Sequence, residues 1–215
     1  MAHSIDRWND FMRSAWHAFD PDAESTAEMA RFACMVRLNI VTLQHTREIA
    51  EIRVTAVNFE RKLWQVRPSH VLPLAPIALA LIRKAFSLRR THDCEWIFQD
   101  HDRRVTTLHP LCCQFRQRLQ IPRDDNARIK NIRFCGRMLL GAPPLHLSLE
   151  SIGNILGHTD CLTYRLAQDT PPELIEMDDK IRTLTIWEKH VCGIGAGVPS
   201  APGSAPSTPW TSTVH

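Results

Sequence analysis

Tyrosine is almost missing from this chain, which has one, Tyr164, among 215 residues that include eight phenylalanines and six tryptophans. Long apolar runs are missing as well, since none reaches the roughly 18 residues that a membrane-spanning helix needs. The first residues, "MAHSIDRWNDFMRSAW", lack the basic-then-apolar order of a signal peptide. We therefore expect a cytoplasmic protein with no part in a membrane.

Paired cysteine motifs are also missing. The seven cysteines include no Cys-x-x-Cys pair, and Cys112 and Cys113 are adjacent. This arrangement argues against a disulfide framework and against the usual zinc sites. His92, Cys94 and His101 match no established ligand spacing. We expect reduced, mostly buried thiols and no metal.

A large excess of charge is absent, because the net charge is only +3 at pH 7. The cations are instead clustered between positions 83 and 137, in segments such as "IRKAFSLRR" and "ARIKNIRFCGR". Clustered cations can follow a phosphate backbone, although solvated helix faces give the same pattern. The candidate DNA contacts are Arg67, Arg83, Lys84, Arg116 and Arg137.

The residue patterns predict an α+β, mostly α protein, with a helical domain and a small antiparallel β-sheet. We expect a short N-terminal helix and linker at 1–25, one domain at 26–191, and a disordered tail rich in Gly, Pro, Ser and Thr at 192–215. Extended patterns predict two strands around a tight connection, at 56–66 and 67–75, and a further extended piece at 94–100. Helical patterns cover 5–19, 25–44, 46–54, 75–86, 107–121, 127–141, 148–158 and 171–191.

Four segments, in this order, resemble the catalytic domain of the tyrosine recombinases, the phage integrase family. "TLQHTREIAEIRVTAVNFERKLWQV" is similar to the family's helix with the first arginine and the run into the first hairpin strand. "RPSHVLPLAPIALALI" is similar to the strand and helix that follow. "KNIRFCGRMLL" resembles the His/Lys-x-x-Arg helix, and "LGHTDCLTYRLA" the Leu-Gly-His segment that leads to the nucleophile. The resemblance runs from about Glu28 to Val191.

The resemblance implies a site-specific recombinase or integrase that acts on double-stranded DNA. In such enzymes a tyrosine attacks a phosphodiester, forms a 3′-phosphotyrosyl link and releases a 5′ hydroxyl. Two arginines clamp the non-bridging oxygens, and a lysine or histidine protonates the departing oxygen. The link stores the energy for rejoining, so neither a metal nor a nucleotide cofactor is needed. Matched by motif, Tyr164 is the nucleophile, Arg133 the second arginine, Lys130 the residue at the His/Lys site, and His158 the Leu-Gly-His histidine.

The first arginine of the family has two possible registers in this chain. If Glu48 is the glutamate that follows it, the arginine site holds His45; if the register shifts, Arg47 serves with Glu51. The ungapped match from Ile52 through Val66 favours His45. A mostly neutral histidine clamps an oxyanion poorly, and one such contact is typically worth about 3–4 kcal/mol.

Two further departures concern the hairpin and the nucleophile. Arg67 is the hairpin cation where the family has a lysine, and arginine holds its proton too tightly to be a good acid. The gap from His158 to Tyr164 is shorter than usual. In addition, only about 25 residues precede the part that resembles the catalytic domain, where the family normally has a separate N-terminal domain that clamps DNA.

Three interpretations follow from the resemblance and its departures. The chain is an active integrase-like recombinase, a catalytically impaired and truncated mobile-element remnant that acts only as a DNA-binding or interaction protein, or an unrelated helical domain. The family exchanges its C-terminal helix between neighbours in a tetramer. Glu173 to Val191 is therefore the candidate contact of a homo-oligomer on DNA.

Overall fold

In the computed structural model of the chain, the described residues are 2–89, 94–99, 109–122, 128–157 and 172–196. They form a mostly helical fold with one small antiparallel sheet, which confirms the predicted α+β, mostly α class. In chain order the elements are α1 (Ala2–Ala18), α2 (Ala27–Thr42), α3 (Thr46–Ala50), a 3-10 turn (Val54–Ala56), β1 (Val57–Asn58), β2 (Leu63–Arg67), β3 (His70–Pro73), α4 (Pro76–Ser87), α5 (His109–Arg118), α6 (Asn131–Gly141), α7 (Leu149–Leu156) and α8 (Pro172–Ala196).

Helix α2 is the centre of the fold. Its N-cap is Thr26, whose hydroxyl accepts a hydrogen bond from the Met29 N–H at 3.2 Å. Twelve of its sixteen residues are buried, because α1, α3, α4, α6 and α8 all pack against it. The helix ends at Leu43, whose left-handed backbone (φ 55°) turns the chain towards α3.

Helix α1 belongs to the same core. Met12 and Ala15 on this helix are buried, and Phe19 beyond its end stacks on Phe115 with ring centroids 5.5 Å apart. Phe32 of α2 meets the Phe19 ring edge-on at 5.3 Å. The N-terminal segment therefore shares its apolar contacts with the domain expected to begin at residue 26.

The sheet has the order β1-β2-β3 and is antiparallel throughout. The segment 56–66, predicted as one strand, contains two, because a turn closes between them with Lys62 at φ 56°. The pairing of β2 with β3 is irregular between Gln65 and Arg67, and Arg67 lies opposite His70. A bulge of this kind re-aims the side chains near it.

Helix α3 is shorter than the helix predicted over 46–54. After Ala50 the backbone pairs with the segment at 94–99 instead: the Ile97 N–H donates to the Ile52 carbonyl at 3.0 Å, and the Val54 N–H donates to the Glu95 carbonyl at 2.9 Å. The predicted extended piece thus supplies a partner for this stretch, and long-range pairing ends the helix.

Helices α7 and α8 pack against each other. The Ser148 hydroxyl caps α7 by accepting from the Ser151 N–H, and Gly157 ends the helix at φ 68°. Asp179 on α8 accepts hydrogen bonds from the Ser151 hydroxyl and the Asn154 amide, both at 3.0 Å. Trp187, also on α8, is fully buried and donates to the Ile40 carbonyl at 2.8 Å.

Helix α8 continues to Ala196 with Ile194 buried, so the first residues of the segment 192–215 are helical. The rest of that segment lies outside the described residues. Within the described ranges, no helix combines the length and apolar content required to cross a bilayer.

Candidate functional site

Arg133, in the first turn of α6, links the ends of two other helices. Its guanidinium donates from Nη1 to the Leu43 carbonyl at 2.9 Å and from Nη2 to the Leu156 carbonyl at 2.8 Å. These carbonyls lie at the C-terminal ends of α2 and α7, where unpaired acceptors and the helix dipole both favour a cation. A guanidinium has further N–H donors, so these two bonds do not exhaust the capacity of Arg133.

Glu48 of α3 is the carboxylate of this region. Its Oε1 pairs with the Arg67 Nε at 2.9 Å, and its Oε2 accepts from the backbone N–H of His45 at 2.9 Å. Burial lowers the pKa of Arg133, the nearby charge of Glu48 opposes that shift, and the charges of Arg67 and Arg137 add to it. The Glu48 carboxylate and the guanidinium groups of Arg67 and Arg137 therefore all act on Arg133, and these four groups together carry an excess of positive charge.

A buried polar layer supports these charges. His70 is 2% exposed, and its Nε2 lies 3.3 Å from the Gln44 Oε1. The Gln44 Nε2 donates to the Thr42 carbonyl at 2.8 Å and to the Ile155 carbonyl at 2.7 Å, so Gln44 also joins the ends of α2 and α7. Burial lowers the pKa of His70 to about 4, and nearby cations lower it too, which keeps the ring neutral at pH 7.

Lys180 enters the same layer from α8. It is 3% exposed, donates to the Val71 carbonyl of β3 at 3.1 Å, and pairs with Glu176 one turn earlier at 2.5 Å. A buried ammonium needs such partners, and these two satisfy it. Lys180 thereby fixes α8 against the sheet next to His70.

Gly157 is in contact with two side chains of the cluster, Arg67 and His70. A Cβ at this position would lie 2.8 Å from the Arg67 Nη2 and 2.8 Å from the His70 Cδ2. Both side chains therefore pack directly on the Gly157 backbone, which only a residue without a side chain allows. His158 follows Gly157 directly in the sequence.

The structure brings Glu48, Arg133 and the Leu-Gly part of the Leu-Gly-His motif together. Arg47 lies apart, because its side chain is 80% exposed and its Nε pairs with the Glu51 Oε1 at 2.9 Å. This geometry favours the register in which His45, the exposed N-cap of α3, takes the site of the first arginine.

The other predicted catalytic residues divide into two groups. Lys130 is exposed and occupies the N-cap position of α6, three residues before Arg133, without a capping hydrogen bond from its side chain. His158 and Tyr164 lie outside the described residues.

The five predicted DNA contacts do not all lie at this site. Arg67 is part of it, and the exposed Arg137 lies one turn after Arg133 on α6. Lys84 is paired with Asp22, and Arg116 donates to the Pro122 carbonyl. Arg83 is exposed on α4.

Three polar residues of the cluster, Gln44, His70 and Lys180, were not among the site residues predicted from the sequence. Only their burial identifies them, because a polar group inside a core has to be hydrogen-bonded. The described part of the chain contains no group of three or more His, Cys, Asp or Glu side chains arranged to hold a metal.

Comparison with protein-family models, with curated proteins and with solved structures finds no match for the chain.

Proposed function

We propose that this protein binds duplex DNA at the cluster around Arg133 and exchanges DNA strands through Tyr164, as the tyrosine recombinases do. One observation supports this most: Glu48, Arg133 and the Leu156–Gly157 turn come from distant parts of the chain and meet at one place. The resemblance requires these motifs to surround one phosphate. Their convergence is therefore what a recombinase active site needs.

The chemistry under this proposal uses the remaining donors of Arg133 on the non-bridging oxygens of the scissile phosphate. The Tyr164 phenol releases its proton to solvent water, and its oxygen bonds to phosphorus while the bond from phosphorus to the 5′ oxygen breaks. Lys130, beside Arg133 at the start of α6, donates a proton to the departing oxygen. The phosphotyrosyl bond preserves the energy for rejoining, and nothing is oxidised or reduced.

A covalent adduct is the direct test. The wild-type protein is incubated with a randomised pool of nicked duplexes, each labelled on the strand that would carry the 3′ phosphotyrosyl link. The nick lets the released fragment diffuse away and so traps the intermediate. We expect label to remain on the protein after denaturation and to be lost in Tyr164→Phe, which keeps DNA affinity. Label that persists in Tyr164→Phe would contradict the assignment of the nucleophile.

A second candidate function is DNA binding without cleavage. The placement of His45 and Arg47 favours it, because Arg47 is bound to Glu51 and a histidine takes the first arginine site. The same pool then yields no adduct, while affinity for duplex DNA falls steeply between about 50 and 200 mM salt as phosphate contacts release counterions. Binding that ignores salt over this range, or no binding at all, would contradict both functions.

A further inference from the structure

We infer that Arg67 supplies the second guanidinium of the phosphate clamp, in place of the arginine that the His45 position lacks. This inference rests on the proposed function of the site, and it assigns a role that neither register of the first arginine provides. An arginine at the end of a strand thus takes the role that an arginine on a helix has in the family.

The position of Arg67 follows from the sheet. Arg67 is the last residue of β2, and the irregular register before it places it opposite His70 at the β2–β3 turn. From there its Nε reaches the Glu48 Oε1 at 2.9 Å. Glu48 also accepts from the backbone N–H of His45, so Arg67 is tied to the helix start that would carry the family's first arginine.

Arg67 and Arg133 contact consecutive residues of the same turn. The Arg133 Nη2 is bonded to the Leu156 carbonyl at 2.8 Å, and the Arg67 Nη2 lies 2.8 Å from where a Cβ of Gly157 would be. The two guanidinium groups thus flank the point from which the chain leads to His158. Glu48 is ion-paired with Arg67, while Arg133 is bonded to two uncharged carbonyls, so the cluster keeps an excess of positive charge, which suits a negatively charged phosphodiester.

Arginine is better suited to clamp a phosphate than the other types of side chain at the site. Within the described part of the chain, the ion pair with Glu48 engages the Nε edge of Arg67, 2.9 Å from the Glu48 Oε1, and the terminal amino groups remain for an anion. The Arg67 side chain is 42% exposed, so a phosphate from solvent can reach it. Its planar fork stays charged at any working pH, which a histidine at position 45 does not.

The test uses inorganic phosphate as the probe on the whole chain labelled with ¹⁵N-arginine. The Nε–Hε signals of Arg67 and Arg133 are expected to shift together with one dissociation constant. Arg67→Ala is expected to weaken phosphate binding by roughly 10- to 100-fold, as loss of a charge-assisted hydrogen bond does. Arg53→Ala is the matched control, because Arg53 is a similarly exposed arginine in an ion pair, with Glu95 at 2.8 Å. It is expected to leave the affinity unchanged.

A second-site substitution makes the test specific. Arg67→Ala combined with His45→Arg is expected to recover most of the lost affinity, because an arginine at position 45 starts the helix that carries Glu48. Arg67→Lys, which keeps the charge and loses the fork, should fall between the wild type and Arg67→Ala. Thermal unfolding of each variant confirms that the fold is retained. Wild-type phosphate affinity in folded Arg67→Ala would overturn the inference.

The inference and the proposed function fail in different ways. If the wild type binds duplex DNA and Arg67→Ala keeps both that affinity and its salt dependence, Arg67 is not in the clamp and the proposed function stands. If the wild type binds no DNA while phosphate still shifts both arginines, the proposed function fails and the two-arginine anion site stands. If both proposals hold, Arg67→Ala removes about one phosphate contact. The slope of log affinity against log salt concentration should then be smaller by about one.

Discussion

Substitution of Gly157 by alanine tests the packing beneath the site. Gly157 has φ 68°, a left-handed conformation that costs an alanine roughly 1–2 kcal/mol. The added Cβ would also lie 2.8 Å from the Arg67 Nη2, and 2.8 and 2.9 Å from the Cδ2 and Cγ of His70. Distances this short require a neighbour to move.

The two neighbours differ in how easily they move. The Arg67 side chain is 42% exposed and ends in a flexible group, so it can swing towards solvent. His70 is 2% exposed and lies against Gln44, so its ring cannot move without displacing the ends of α2 and α7. Overpacking of this kind typically costs about 1–3 kcal/mol. With the backbone term, we expect Gly157→Ala to lower the free energy of unfolding by about 2–5 kcal/mol.

The same helix offers a matched control in Gly153, four residues earlier. Apart from its chain neighbours and the backbone of its own helix, none of the described residues comes within 4 Å of a Cβ built there, and its backbone is helical, so alanine should raise stability by up to about 1 kcal/mol. Urea unfolding followed by the fluorescence of the buried Trp64 and Trp187 measures both variants. The two midpoints should move in opposite directions. A Gly157→Ala protein as stable as the wild type would refute this account of the turn.

Two further predictions concern the polar layer. Because the pKa of His70 is lowered to about 4 from 6.5, the stability it contributes is fully present above pH 6.5 and is lost as the pH falls towards 4, by up to about 3 kcal/mol. His70→Gln should flatten the plot of unfolding free energy against pH in this window, and an unchanged slope would contradict the assignment. Arg133→Lys should lower the unfolding free energy by about 1–3 kcal/mol, because a single ammonium group cannot bond to the Leu43 and Leu156 carbonyls at once as the guanidinium does. Urea unfolding midpoints equal to those of the wild type would contradict this.

Much of the fold could be predicted from local patterns, because caps and helix ends depend on a few neighbouring residues. Thr26 and Ser148, whose hydroxyls suit the N-cap position, start α2 and α7 within the predicted ranges, and α6 ends at Gly141 as its predicted range does. The division between β1 and β2 could not be predicted. No glycine or proline marks that turn, which is held instead by the Asn58 side chain accepting from the Arg61 N–H at 2.8 Å.

The sequence identified the charged members of the candidate site better than its buried members. Arg133 and Glu48 each belong to a separate short motif with fixed internal spacing, so their residue types could be matched. Gln44, His70 and Lys180 form the layer beneath only because α2, β3 and α8 meet there, and that meeting depends on contacts distant in sequence. The choice between His45 and Arg47 likewise depended on which glutamate turns towards Arg67.

The link between site and core decides which substitutions can report on chemistry. Arg133 and Gln44 each bond to carbonyls at the ends of both α2 and α7, so removing either side chain loosens the junction that shapes the cluster. A loss of activity in Arg133→Ala would therefore combine a missing phosphate contact with carbonyls left without their donors. Among the described residues, Arg67 is held by its packing on Gly157 and by one partly exposed ion pair, which typically contributes at most about 1 kcal/mol. If Arg67→Ala causes a large functional defect with little loss of stability, the Arg67 guanidinium contacts the phosphate itself. If the defect is proportional to the loss of stability, Arg67 acts by supporting the fold.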